Sequence, residues 1–435
     1  MRKQTRFIHN TALLTASTLA LRFIGCAFQV WLANRIGSAG IGLYQLMGSV
    51  SGLAITLALS GIGFGSTRLI SEQLGKQRCV QTAVSHCILY ALFFGILSGV
   101  LLFFLAEPIG FLWIEDGRTV LPLEIMAVQL PFIALSAVFT GYFTACGRVG
   151  RSTITQLLQQ TLSILLTIHL LSHVSETDIA HNCACIVLAS TVSEIFGCGL
   201  LGILYSLDIR KLPKSESVSA HIRTRLLSIS LPLAVSAYTR SGLSTLQHML
   251  TPYGLRKSGL TASQALSAYG IVHGMTLTVL YFPTCILQVV SHLLIPDLTD
   301  LQVKGHNKRI ETVCVKMLRL ATAYSVAVAL LLFILANPLA EHLYHTPEVA
   351  KYIRLLAPIV PVIYLDIIVD GCLKGLGQQL WSMGINILES AISVILTWLL
   401  IPRFSVNGFL FVICFNELFN FLLSFRKLQS VIAQK

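Results

Sequence analysis

Long apolar runs separated by short polar segments occupy the whole chain, and within each run the apolar character is continuous rather than alternating as in barrel strands. Each run holds about 20 residues, enough for a helix to cross about 30 Å of hydrocarbon. The pattern predicts twelve membrane helices, at about 11–33, 42–66, 82–105, 120–145, 153–173, 182–206, 226–250, 265–295, 315–336, 350–373, 380–401 and 404–425. The first follows a basic start, Met1-Arg2-Lys3-Gln4-Thr5-Arg6, and has no small-residue cleavage site behind it. It therefore reads as an uncleaved span and not a signal peptide. The fold class predicted is an all-α integral membrane protein.

Composition narrows the picture. Of 435 residues, 54% are hydrophobic and 11% charged, where a soluble domain carries about 25% charged residues. The formal net charge of +12 raises the question of nucleic acid, and its distribution answers it. With the amino terminus inside, the segments 1–10, 67–81, 146–152, 207–225, 296–319, 374–379 and 426–435 hold 22 of the 31 Lys and Arg, and the outer segments seven. That bias is the mark of membrane topology, with both termini cytoplasmic, and nucleic acid is not expected as a partner. The eleven cysteines contain no C-x-x-C and fall mostly in apolar runs, where a thiol acts as a small hydrophobe. Gly61-x-Gly63-x-Gly65 and Gly371-x3-Gly375 lack the Lys-Ser/Thr of a nucleotide loop. Neither a cofactor nor a metal site is expected.

An internal repeat organises the chain. Residues 101–166 align without a gap on 331–396, an offset of 230, with sixteen identities in 66 positions. Pro108, Pro131, Gly141 and Gly147 recur as Pro338, Pro361, Gly371 and Gly377, and such residues mark kinks and close helix approaches at fixed depth. Six spans per half make the repeat parallel. The expected domains are a six-helix lobe at 1–206, a cytoplasmic linker at 207–225 and a second six-helix lobe at 226–435. Repeats of this kind are characteristic of secondary transporters, with substrate near the midplane between them.

A short motif adds to this. Leu32-Ala33-Asn34-Arg35-Ile36 followed by Gly37-Ser38-Ala39-Gly40-Ile41-Gly42-Leu43-Tyr44-Gln45, with Ser60-Gly61-Ile62-Gly63 and Ser71-Glu72-Gln73 beyond it, resembles the stage V sporulation protein B group. That group belongs to the multidrug/oligosaccharidyl-lipid/polysaccharide flippase superfamily. The resemblance implies a V-shaped pair of lobes, alternating access and a bacterial cytoplasmic membrane. The cargo it implies is a lipid-linked oligosaccharide or a peptidoglycan or polysaccharide precursor. Relatives of the lipid II flippase type carry two further helices at the carboxyl end that the twelve-span pattern here does not provide for.

Ionisable residues within the spans are costly and mark candidate sites. Arg22 and Arg240 occupy equivalent places in the first and seventh spans. Facing one cavity they would suit a diphosphate, which a guanidinium grips with two parallel hydrogen bonds; the alternative is that each pairs with a carboxylate or snorkels. Asp366 and Asp370 share one face of the tenth span and suit H+ or Na+ coupling, unless Lys374 simply neutralises Asp370. Asn386, Glu389 and Ser393 form a stripe in the eleventh span whose repeat equivalents are Gln156, Gln159 and Ser163. This stripe either lines a cavity or binds helices together. Glu194 in the sixth span and Glu417 in the twelfth, beside Asn416 and Asn420, are further ion-coupling candidates.

The residues leave two transport functions open, a lipid-linked precursor flippase and a cation-coupled multidrug or metabolite exporter of the same superfamily. A cationic cavity favours the first and an anionic one the second. An enzyme is disfavoured, because His173, His181, His342 and His345 have no metal-ligand spacing on a helix.

Overall fold

The computed structural model describes residues 2–75, 80–175, 178–210 and 222–433, with side chains from residue 19 onward. Part of the expected linker (211–221) and the charged residues Lys76, Arg78, Glu176 and Lys435 lie outside the described residues. Every element among the described residues is helical.

A continuous run Arg2–Leu59 kinks at Gly37 (φ 74°, ψ 175°); α1 is residues 2–36 and α2 residues 38–75, interrupted by a turn at Ser60–Gly61. Then follow α3 (Val80–Ile114), α4 (Gly117–Ala145), α5 (Val149–Leu171) and α6 (Ile179–Ile209). Asp178 caps α6 by accepting from the His181 amide at 3.2 Å, which holds its carboxyl below the usual carboxylate range. α7 is Ile222–Lys257. A capping box opens α8: Thr261 Oγ1 accepts from the Gln264 amide at 3.3 Å, and Gln264 Oε1 accepts from the Thr261 amide at 3.1 Å. Its two parts, Ala262–Tyr281 and Thr284–Val303, meet at 57°, where Pro283 supplies no amide proton. α9 is residues 307–344 and α10 is Pro347–Gly375. The run Gln379–Ala433 breaks at Ser405 (φ 54°, ψ −134°) into α11 (379–404) and α12 (406–433).

Eight helices among the described residues are long and apolar enough to cross a membrane, nine with the bent α8. Two of the eight are the kinked runs, of 57 and 55 residues, each about 80 Å long at 1.5 Å per residue and so long enough for two crossings. α7, interrupted by Ser, Thr and Arg240, falls short of that apolarity. Most helices extend beyond the expected spans by several residues, because polar ends continue the helix past the hydrocarbon.

The repeat persists in the backbone. Pro108 and Pro338 each lead into a π-helical turn, Ile109–Ile114 and Ala340–Tyr344. Each turn ends on a left-handed residue that is not glycine, Glu115 (φ 56°) and His345 (φ 50°), 230 positions apart. Gly147 and Gly377 take φ of 67° and 76° at the matching helix ends. Gly141 and Gly371 let backbones touch: a Cβ would stand 2.1 Å from Ser66 Oγ at the first and 2.2 Å from Ser291 Oγ at the second. Substitution at either forces a neighbour to move.

Packing divides the described chain into two compact units, Met1–Leu21 with Leu46–Thr245, and Arg22–Gln45 with Leu246–Lys435. These groups differ from the sequence halves at 1–206 and 226–435. Residues 22–45 join the second unit because Gly42 lies against the Leu266 carbonyl, where a Cβ would be only 2.2 Å away, and Ser38 Oγ meets Ser267 Oγ at 2.6 Å. The start of α7 joins the first unit, where Ile222 and Leu226 pack in a core with Ile62, Val84, Val138 and Tyr142. Thr245 also donates to the Ser49 carbonyl at 2.9 Å.

Candidate functional site

In the second unit four helices bring polar groups together at the depth of their apolar spans. Tyr281, the last residue before the α8 bend, donates to Glu417 Oε1 of α12 at 2.7 Å. Asn420, one turn further along α12, donates to Glu389 Oε2 at 2.9 Å and to Asn386 Oδ1 at 3.2 Å, both on α11. Asn416 donates to Ser393 Oγ at 2.6 Å. The stripe of Asn386, Glu389 and Ser393 thus hydrogen-bonds α12, as the spacing allowed. Asp366 of α10 lies within electrostatic range of Glu389 and Glu417, and its Oδ1 is buried without a hydrogen-bond partner.

Asp370 has a different setting. Lys374 Nζ stands 2.5 Å from its Oδ2, and Ser382 donates to its Oδ1. Asp370 is therefore the neutralised member of the pair on α10, and Asp366 the one left without a cation. Three carboxylates, Asp366, Glu389 and Glu417, share a region whose nearest counter-charge, Lys374, is engaged by Asp370. Such a group accommodates a proton or a small cation at lower electrostatic cost than it accommodates three bare charges.

The first unit places a smaller cluster around Glu194 of α6. Ser136 of α4 donates to its Oε1 at 2.9 Å, and Gln159 of α5 donates to its Oε2. Gly197, one turn along α6, leaves room for Gln159, whose Oε1 would lie 2.4 Å from a Cβ there. At the offset of 230, Ser136 corresponds to Asp366 and Gln159 to Glu389. The two units thus carry the same polar positions with different charge, one carboxylate in the first and three in the second.

Arg22 and Arg240 are both exposed, Arg22 on α1 in the second unit and Arg240 on α7 in the first. Neither has an ion-pair partner among the described residues. Gln156 is exposed on α5.

Three groups carried no clear signal in sequence. Tyr281 sits in an apolar run, where a tyrosine reads as core. Asp208 lies at the edge of the charged linker, yet its side chain is 1% exposed and engages Arg148, Arg151 at 2.9 Å and the Tyr142 hydroxyl at 3.1 Å. His248, Tyr269 and His273 of the second unit cluster, with Tyr269 Oη 3.0 Å from His248 Nδ1 and the two imidazole centroids 4.6 Å apart. Their wide spacing along two helices hid the association.

A helical membrane protein with a structural repeat and polar clusters within its spans has the build of a secondary transporter. The fold agrees: the chain superposes on the inward-facing conformation of a multidrug resistance MATE family transporter of the MOP superfamily with a TM-score of 0.75. That match covers 97% of this chain and 98% of the transporter at 14% identity. The MatE family model also matches residues 258–399. The chain belongs to the polysaccharide biosynthesis protein family, whose model matches residues 7–253. Among curated proteins it is 25% identical over 408 residues to the stage V sporulation protein B of Bacillus subtilis (strain 168), covering 91% of this chain and 77% of that one. It is 22% identical to the sporulation protein YkvU of the same organism, covering 86% and 83%. The protein is a membrane transporter of the flippase superfamily.

Proposed function

We propose that the protein moves a lipid-linked oligosaccharide, or a peptidoglycan or polysaccharide precursor, across the bacterial cytoplasmic membrane by alternating access, with both termini cytoplasmic. The observation that carries this reading is the polysaccharide biosynthesis family match over residues 7–253, on a chain with a MATE-type transporter fold. The concentration of Lys and Arg in alternate loops supports the orientation. Arg22 and Arg240 bind the diphosphate, with Gln159, Asn386 and Glu389 contributing to the polar wall that admits the sugar. Asp366, assisted by Glu389 and Glu417, takes up H+ or Na+, and its unpartnered Oδ1 supports that role. Asp370 and Glu194 play lesser parts, because each is already satisfied by neighbours. The two six-helix lobes of the sequence are the moving bodies.

The anionic character of the second-unit cluster favours one competing reading, export of organic cations coupled to an ion gradient. Reconstitution separates the two. Wild-type protein in proteoliposomes is expected to flip a fluorescent undecaprenyl-diphosphate saccharide, measured by the fraction open to membrane-impermeant reductant. Arg22→Ala/Arg240→Ala should slow flipping by roughly tenfold or more, the loss of about 1.4 kcal/mol of phosphate recognition. Absence of flipping in the wild type, with ethidium efflux driven by a proton or sodium gradient, overturns the flippase in favour of the exporter.

A further inference from the structure

An apolar groove of about 520 Å³ runs between α3 and α7 within the first unit. Its walls include Phe93 and Phe94 on one side and Leu227 and Leu231 on the other, and His86 and Arg223 stand at one end. From His86 to Phe94, and likewise from Arg223 to Leu231, is eight residues, about 12 Å of helix, close to the depth of one hydrocarbon leaflet, half of about 30 Å. The side chains that line it open outward: Phe93 is 61% exposed, Leu227 41% and Leu231 40%.

The floor of the groove is apolar by construction. Tyr90 forms part of it, but the tyrosine hydroxyl is turned into the core, where it donates to the Ser60 carbonyl at 2.9 Å. Leu226, at 2% exposure, closes the bottom. The basic end is equally specific. Arg225, two residues on, is held by Glu72 at 2.8 Å, whereas Arg223 has no ion-pair partner among the described residues. His86 donates from Nδ1 to the Thr82 carbonyl at 2.7 Å, so in the neutral ring Nε2 carries the lone pair and Arg223 is the donor at this end. An apolar slot one leaflet deep with the Arg223 guanidinium at one end complements a lipid whose head is a phosphate.

We propose that this groove is the loading site for the isoprenoid tail of the phosphate-headed cargo, with Arg223 at the phosphate. The inference rests on the flippase reading above and adds to it a place where the tail waits in the cytoplasmic leaflet while the head group is presented for transport. Branched, unsaturated isoprenoid units pack on the faces of Phe93 and Phe94, whose rings meet edge to face at 5.2 Å.

The test is photolabelling of the full-length protein in phosphatidylethanolamine nanodiscs with a diazirine-bearing undecaprenyl phosphate, the labelled peptides being located by mass spectrometry. Label is expected on peptides spanning 80–108 and 222–245. Leu227→Trp/Leu231→Trp, which fills the slot, and Arg223→Glu, which reverses its charge, should each cut labelling roughly tenfold. Ile203→Trp, on the exposed face of α6 and outside the groove, should leave it unchanged, and thermal unfolding of every variant confirms that the fold is kept. Unaltered labelling in the filled variant overturns the proposal, as does displacement of the probe by an equal amount of phosphatidylglycerol, which would make the groove a seat for bulk lipid. Flipping at the wild-type rate in the filled variant overturns the groove and leaves the flippase reading standing. Groove labelling in a protein that flips no isoprenoid-linked saccharide supports the groove and removes the flippase.

Discussion

Asp366 and Asp370 lie one helical turn apart on α10, and their neighbours give them different tasks. Asp370 is tied to Lys374 and Ser382, so Asp370→Asn trades an ion pair for a hydrogen bond and should lower transport by no more than about threefold, an exposed pair being worth about 0.5 kcal/mol. Asp366 keeps a buried, unpartnered oxygen beside two other carboxylates. Asp366→Asn should abolish the response to an ion gradient while cargo binding, followed by cargo-induced thermal stabilisation, persists. Asp208 serves the fold instead: Asp208→Asn leaves Arg148 and Arg151 sharing a neutral oxygen in place of a carboxylate, a loss of about 2 kcal/mol for charged hydrogen bonds, which a thermal melt in detergent should register. Spacing marked Asp366, Glu389 and Asn386 as polar positions inside apolar runs and left open whether they line a cavity or bind helices together. It could not expose Tyr281, whose ring is as apolar as its neighbours, nor the burial of Asp208, which depends on loop residues folding back onto the end of α6.

The helices owe their contacts to small residues placed in register. Gly371 lets α10 approach Ser291 of α8, and Ser291 Oγ donates to the Ile367 carbonyl at 3.0 Å in the same contact. Gly371→Val should cost about 1–3 kcal/mol by overpacking, and Gly141→Val, at the equivalent contact with Ser66, a similar amount. Melting temperatures of the two variants, compared with Gly384→Val at a position open to solvent or lipid, measure the difference. The prolines and glycines at offset 230 made this level legible, since each imposes a backbone conformation that side-chain exchange cannot imitate. The π-helical turns after Pro108 and Pro338 were not visible, because an extra residue in one turn alters hydrogen bonding without altering hydropathy.

At the scale of the whole molecule, a duplicated framework carries unequal charge. Ser136 and Gln159 in the first unit stand where Asp366 and Glu389 stand in the second, so the proposed coupling places the ion in the second unit. Glu194, fully engaged by Ser136 and Gln159, should tolerate Glu194→Gln with gradient dependence intact, unlike any neutralisation in the second-unit cluster. The all-helical membrane fold and the repeat could be read from hydropathy and register. The grouping of residues 22–45 with the second unit could not, because it rests on backbone contacts at Gly42 and Gly270 that leave no periodic trace. The measurement that bears most directly on the mechanism is the rate of flipping of a fluorescent undecaprenyl-diphosphate saccharide in proteoliposomes, with and without an imposed proton or sodium gradient, for wild type and Asp366→Asn. Flipping that the gradient accelerates in wild type and leaves unchanged in Asp366→Asn is the expected result; equal gradient response in both, or no flipping by the wild type, would contradict it.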